Sequence, residues 1–363
     1  MNQDFLQINY QYLLNHTDHN HSNPENIWVL TLVASVFNAV TLASCTQMLA
    51  QVLPDYTLIA QTSFTPENNA QVNSHQVNSH QANSQSHASV EPHSQTSPVT
   101  TLQWLIESKN CSTESHKILI QKIREALAEF NRESVQNGSL DIHIMPFSRY
   151  CRPHKLALFD MDSTLIEQEV IVELAKKAGI GEKVNAITEA AMRGEMDFSE
   201  SFTQRVALLQ GLSTAVLDDI IRDNISFSLG AKRLITALKN AGFHVVLVSG
   251  GFSYFAEYVQ KILGIDEIYA NDLDIANGML TGKITSPIVD GKRKAEILQE
   301  VATRLNIDLS ETVAVGDGAN DLPMLGLADI GVAYRAKPIV QAQADYAVNV
   351  AGLDGVMAVL GLK

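Results

Sequence analysis

No lysine or arginine precedes Lys109 in this chain of 363 residues. That gap removes the basic flank of a signal peptide or of a positive-inside anchor, so the uncharged run over residues 27–45 is not read as a membrane span. Cysteine is equally scarce. Cys45, Cys111 and Cys151 show no metal or disulfide spacing and read as free thiols. Positive charge is in deficit overall, with 26 basic against 40 acidic residues and a formal net charge of −14. Nucleic acid and anionic membranes are therefore poor partners. Large apolar residues nearly vanish over residues 65–100, where 76–80 repeat 71–75. Such a segment buries too little surface to offset its ordering entropy, and disorder is expected there. His75, His80, His87 and His93 fall in this stretch and read as polar filler rather than a metal site. With 45% hydrophobic residues, the rest of the chain can build two domains with cores, as suits a soluble cytoplasmic enzyme.

What is present concentrates at strand ends. Residues 156–159 are four consecutive apolar residues, followed by Asp160, Met161, Asp162, Ser163 and Thr164. The run suits a strand buried on both faces of a parallel sheet, and ligands gather at the carboxyl ends of such strands. Asp160 there could attack phosphorus as a nucleophile, and Asp162 could carry protons to and from the leaving and attacking oxygens. A hard divalent ion, most simply Mg²⁺, fits so many carboxylates. The alternative is an acidic turn capping a helix that starts near Thr164. A second apolar strand over 244–248 ends in Ser249, Gly250 and Gly251, a hydroxyl and backbone amides able to hold phosphate oxygens. A helix opening at Gly291 carries Lys294, a point charge for a phosphate. A third strand, 312–315, runs into Gly316, Asp317, Gly318, Ala319, Asn320 and Asp321. Each segment alone could be an ordinary turn or a solvated cation.

Taken together and in this order, the four segments resemble the haloacid dehalogenase superfamily of phosphohydrolases, and within it the phosphoserine phosphatases, over roughly residues 154–362. The resemblance implies a Rossmann-like parallel-sheet α/β core with a small helical cap. By it, Asp160 is the nucleophile and Asp162 the general acid/base. Asp160, Asp317 and the backbone carbonyl of Asp162 hold Mg²⁺. Ser249, Gly250 and Lys294 hold the phosphoryl group, while Asn320 and Asp321 support phosphate and metal-bound water. Because relatives that cleave carbon–halogen bonds or pump ions usually carry another residue at the Asp162 position, its presence favours a phosphate monoester.

Substrate choice falls to the insert over about 167–230, which reads as helical throughout. Val170, Ile171 and Leu174 form one apolar patch, and Phe198, Phe202 and Leu209 another. Arg205 shares the second face. A buried-facing arginine needs a partner: an internal pair with Glu195 or Glu200, or the carboxylate of a substrate. Glu169 could meet a substrate ammonium or be an ordinary first-turn acid. Glu169, Met192, Phe198 and Arg205 coincide with positions that line the phosphoserine pocket in the family, which points to O-phosphoserine as the substrate. Another small amino-acid phosphate, or an amino-acid sensor with a vestigial phosphatase module, remain alternatives. A hairpin around Asn277-Gly278 resembles the small flap of the family.

Ahead of the catalytic region, strands over 28–33, 55–60, 102–106 and 141–145 and helical patterns over 39–53 and 118–130 repeat strand, helix, strand twice. Two such units make a ferredoxin-like α+β sandwich, similar in pattern to the ACT-like amino-acid-binding regulatory domain. The expected organisation is a flexible tail 1–26, an ACT-like domain 27–150 interrupted by the loop 65–100, and a phosphatase domain 151–363. The resemblance leaves room for an amino-acid effector at the N-terminal domain and for a homodimer.

Overall fold

The computed structural model describes residues 27–34, 49, 56–64, 100–108, 121, 122, 125 and 141–362. The loop expected over 65–100 lies outside the described residues up to 99, its last residue, Thr100, opening a strand; the tail before Ile27, and Cys45 and Cys111, also lie outside them.

At the centre is a six-stranded parallel sheet in the order β12-β11-β10-β5-β6-β7. Its strands are β5 (Leu156–Phe159), β6 (His244–Phe252), β7 (Glu267–Asn271), β10 (Thr312–Gly316), β11 (Ile330–Tyr334) and β12 (Tyr346–Val348). Their near-continuous apolar runs follow from burial on both faces. Alternate residues feed two cores. Ala157, Phe159, Val245, Leu247, Val313 and Val315 join one cluster, and Leu156, Leu158, Val246, Val248 and Ala314 join the other. Since all strands point the same way and β10, β5 and β6 are neighbours, the three motif-bearing strand ends meet along one edge.

The insert after β5 forms four helices, α1 (Val170–Lys177), α2 (Gly181–Met192), α3 (Phe198–Ala207) and α4 (Ala215–Asp223), as its apolar spacing predicts. Both of its ends meet at a narrow hinge. Ile166 bridges Phe227, and Gln168 exchanges two hydrogen bonds with Ser226, at 2.7 and 2.9 Å. No helix starts near Thr164. Residues 161–165 form an irregular turn with Ser163 in the left-handed region (φ 57°), and the first cap helix begins at Val170. After the cap come α5 (Ala231–Asn240) and α6 (Ser253–Leu263), then the hairpin of β8 (Leu273–Ala276) and β9 (Met279–Ile284). Asn277 (φ 51°) and Gly278 (φ 73°) both take positive φ, as a type I′ turn requires. This hairpin bonds to the cap, with Gly211 N–H donating to Leu280 O, Leu280 N–H to Leu212 O and Thr214 N–H to Gly278 O, at 2.8, 2.8 and 2.9 Å. The helices α7 (Gly291–Leu305) and α8 (Leu322–Leu327) cover the second face of the sheet.

The N-terminal strands β1 (Ile27–Ala34), β2 (Tyr56–Phe64), β3 (Thr100–Ser108) and β4 (Asp141–Pro146) form an antiparallel sheet ordered β2-β3-β1-β4. That is the order two interlocked strand–helix–strand units produce. Of the two expected helices, only Leu49, Gln121, Lys122 and Glu125 are described, all helical. Ile27, Val29, Val33, Leu105 and Met145 belong to the same apolar cluster as the parallel sheet's first face. The buried Asp141 carboxylate accepts hydrogen bonds from the amides of Asn349, Val350 and Ala351, at 2.9, 3.0 and 3.2 Å. It ties β4 to the segment after β12. Among the described residues, no helix is long and apolar enough to cross a membrane.

Asp141→Ala strips the buried Ala351 amide of its acceptor. It is expected to lower the unfolding free energy by roughly 1–3 kcal/mol in urea denaturation. Asn349→Ala, which keeps its backbone amide, should leave stability near wild type.

Candidate active site

Asp160 follows β5 directly and is 6% exposed. Its Oδ1 accepts from Lys294 Nζ at 2.7 Å, and the same ammonium donates to Asp321 Oδ1 at 2.6 Å. Lys294 and Asp321 are completely buried. The first turn of α7 delivers Lys294, and Asp290 caps that helix by accepting from Arg293 N–H at 2.8 Å. Asp321 Oδ2 accepts from Gly318 N–H at 2.9 Å. Asp317 follows β10, and its Oδ1 accepts from the buried Thr164 hydroxyl at 3.1 Å.

Oxygens of Asp160, Asp317 and Asp321 lie within 4.8 Å of one another. Asp162 adds a fourth carboxylate nearby, one that feels the charge of Asp160. One buried ammonium cannot balance four carboxylates, and the electrostatics record the mismatch. Burial, with Asp321 and Asp317 close by, raises Asp160 well above the ordinary carboxylate range despite Lys294. Burial, Asp321 and Glu169 push Asp317 up to about 7. Burial, Glu169 and Asp160 raise Asp162 likewise. Lys294 is held protonated by Asp160 and Asp321 against its burial. An all-oxygen, anion-rich cluster of this kind fits a hard divalent cation. Asp321, expected to support phosphate and metal-bound water, stands inside that cluster.

Asp162 is half-buried. The Val170 amide at the start of α1 favours its charged form, and its Oδ1 is buried without a hydrogen-bond partner among the described residues. Across from it, β6 supplies Ser249, Gly250 and Gly251. A Cβ on Gly251 would lie 3.0 Å from Ser249 Oγ and 3.1 Å from Asp162 Oδ2, so a side chain there would crowd both groups. A Cβ on Gly250 would lie 3.1 Å from Phe198 Cζ, which sets the cap directly against the strand end. Phe198 stacks on Phe202, which leans on Phe252 of β6, with centroids 6.1 and 5.7 Å apart.

Glu169 is exposed and accepts from the Ser163 hydroxyl at 2.7 Å. Arg205 is half-buried; its Nε donates to Ser201 O at 3.3 Å, and it makes no salt bridge with a carboxylate among the described residues. The internal partners expected from sequence are otherwise engaged: Glu195 pairs with Arg193 at 2.6 Å and Glu200 accepts from Gln204 at 3.3 Å. Burial lowers the Arg205 pKa, and Glu169 is near enough to act against that. Asn320 packs under the start of α7, its carbonyl 2.6 Å from where a Gly291 Cβ would sit. The side chain of Met192 lies outside the described residues. Thr164, which holds Asp317, and Asn271, considered below, were not singled out by sequence. Thr164 could have been noticed as the hydroxyl ending the first motif; Asn271 ends an unremarked strand.

Residues 157–326 match the haloacid dehalogenase-like hydrolases. Among curated relatives, a phosphoserine phosphatase of Idiomarina loihiensis is 54% identical over 194 residues, 53% of this chain and 88% of that protein. A haloacid dehalogenase family hydrolase from Salmonella enterica serovar Typhi superposes with a TM-score of 0.69 at 26% identity, covering 92% of this chain and 98% of that one. A phosphoserine phosphatase solved as a phospho-aspartyl intermediate analogue superposes with a TM-score of 0.54 at 39% identity, covering 58% of this chain and 100% of that one. The chain belongs to the haloacid dehalogenase-like hydrolases, in the phosphoserine phosphatase branch of that family.

Proposed function

We propose that the protein hydrolyses O-phospho-L-serine to L-serine and phosphate through a phosphoaspartate on Asp160, with Mg²⁺ in the carboxylate cluster. The observation that carries this reading is Arg205, a half-buried guanidinium without a salt bridge among the described residues, on a cap helix whose Phe198 rests against the phosphoryl-site strand. A free guanidinium fork suits a substrate carboxylate, and Glu169 suits its ammonium. Asp160, Asp317 and Asp321 would hold the cation, which supplies charge neutralisation for the carboxylates and the phosphoryl group.

In the first half-reaction the Asp160 carboxylate attacks phosphorus while the serine oxygen leaves. Asp162, whose acid form is favoured by burial and by the charges of Glu169 and Asp160, gives its proton to that oxygen. Ser249, Gly250 and Lys294 hold the transferring group. In the second, Asp162 takes a proton from water as the water oxygen attacks the phosphoaspartate, and the Asp160 carboxylate is restored with release of phosphate. The cap and hairpin, bonded to each other, would exclude other water. A vestigial site is hard to reconcile with a fully buried Lys294 bonded to two carboxylates, since a purely structural core is better served by apolar packing. The N-terminal sheet, by its strand order, would be a regulatory domain of the ACT type binding a small amino-acid effector.

A panel of phosphorylated metabolites assayed with and without Mg²⁺ should show phosphoserine as the best substrate and no turnover after chelation. On the same panel, Arg205→Ala should lower kcat/KM for phosphoserine by about a hundredfold, a loss of some 2–3 kcal/mol, and barely affect an aryl phosphate. Equal losses on both would make Arg205 structural and leave another phosphate ester as the substrate.

Asp317 gives the pH dependence. Its folded pKa of about 7 lies above its unfolded value near 4, so the cation-free fold gains stability from it at low pH and loses that gain as pH rises through about 7. A bound cation must displace that proton. Mg²⁺ should therefore raise the unfolding temperature more at about pH 8 than at about pH 5.5. A shift independent of pH would remove Asp317 from the ligand set.

A further inference from the structure

Where β6 pairs with β7, the ladder runs from Val246↔Glu267 to Val248↔Tyr269, breaks, and resumes at Phe252↔Asn271. Ser249, Gly250 and Gly251 are the residues left out. Their backbone groups need other partners, and the side chain of Asn271 supplies them. Asn271 is completely buried; its Nδ2 donates to Gly250 O at 2.9 Å and to Gly251 O at 3.1 Å, and its Oδ1 accepts from Val289 N–H at 2.9 Å. Every hydrogen-bonding atom of the amide's head is thereby used.

These bonds reach the site in two directions. The Gly250 carbonyl shares its peptide plane with the Gly251 N–H, which points the opposite way and donates to Ser249 Oγ at 2.8 Å. Fixing one end of that plane fixes the other, and the Ser249 oxygen, already an acceptor, must aim its own proton elsewhere. On the other side, Val289 immediately precedes Asp290, the cap of α7, and Lys294 follows one turn later with its N–H bonded to Asp290 O at 2.9 Å. Asn271 thus joins the Ser249 bulge and the base of the Lys294 helix through one amide. Bulges next to active sites re-aim side chains, and this one depends on a side chain from the neighbouring strand.

We propose that Asn271 is a positioning residue for the phosphoryl subsite, setting the spacing between the Ser249–Gly250 side and the Lys294 side. It touches no substrate. The proposal rests on the reading of Ser249, Gly250 and Lys294 as phosphoryl ligands. It separates that subsite from the cap, where Glu169 and Arg205 lie; among the described residues the Asn271 side chain bonds only to Gly250, Gly251 and Val289.

The test is calorimetric binding of inorganic phosphate and, separately, of L-serine to the Mg²⁺-loaded full chain. Asn271→Asp keeps the shape and the acceptor but loses both donors and faces two carbonyls; Asn271→Ser is an uncharged second variant should the first fail to fold. Both should weaken phosphate binding by about tenfold or more, the worth of one or two hydrogen bonds, while L-serine binding changes less than about twofold. Wild-type phosphate affinity in a folded variant would overturn the proposal. So would parallel loss of phosphate and serine binding, the mark of general destabilisation. Failure of the functional reading is distinct: wild-type protein would bind phosphate yet leave phosphoserine uncleaved.

Discussion

The buried ammonium of Lys294, shared between Asp160 and Asp321, is the interaction on which the rest of the site depends. A lysine with no exposed surface is tolerated only when paired, and this one is paired twice. Its position is fixed from the backbone upward, by the Asp290 cap on α7, by the close approach of Gly291 to Asn320, and by the Asn271 bond to Val289. Yet one positive charge among Asp160, Asp162, Asp317 and Asp321 leaves the cluster anionic. The raised pKa values of three of these carboxylates express the same deficit that a divalent cation and a phosphoryl group would answer in different ways. Charge imbalance is the resting condition of this site, and it favours the ligands the chemistry needs.

The parallel sheet turns that local electrostatics into a site. Because β10, β5 and β6 are adjacent and parallel, Asp317, Asp160 and Ser249 emerge along one edge, although nearly 160 positions of sequence separate the outer motifs (317 − 160 = 157). Glycines at 251 and 316 let side chains crowd: a Cβ would press to 3.1 Å from Asp162 at the first and collide with Asp321 at 2.5 Å at the second. The cap then approaches through Phe198, and its hydrogen bonds to the β8–β9 hairpin make the two parts one body above the strand ends.

Much of this was legible in the sequence because it rests on local signals. Short apolar runs giving way to an acid, a serine or a glycine marked β5, β6 and β10, and Asn277-Gly278 marked a hairpin whose two positive φ angles the structure contains. The cap helices followed from apolar spacing. The choice for Arg205 between an internal partner and an open face could not be made from spacing, since Glu195 and Glu200 lie within reach in sequence and only the fold assigns them to Arg193 and Gln204. Thr164, Asn271 and the full role of Asp321 depend on contacts between distant strands and helices. A ladder break bridged by a side chain from the next strand leaves no periodic trace. Asp141 is similar: an acid opening a strand in sequence, and in space the acceptor for three amides more than 200 positions away.

The most direct test of this account is to quench a single turnover of phosphoserine in acid and locate the phosphate by peptide mass mapping. The account places it on the peptide containing Asp160, at that residue. Release of serine with Asp160 unmodified at every time point, or phosphate trapped on a different side chain, would contradict it.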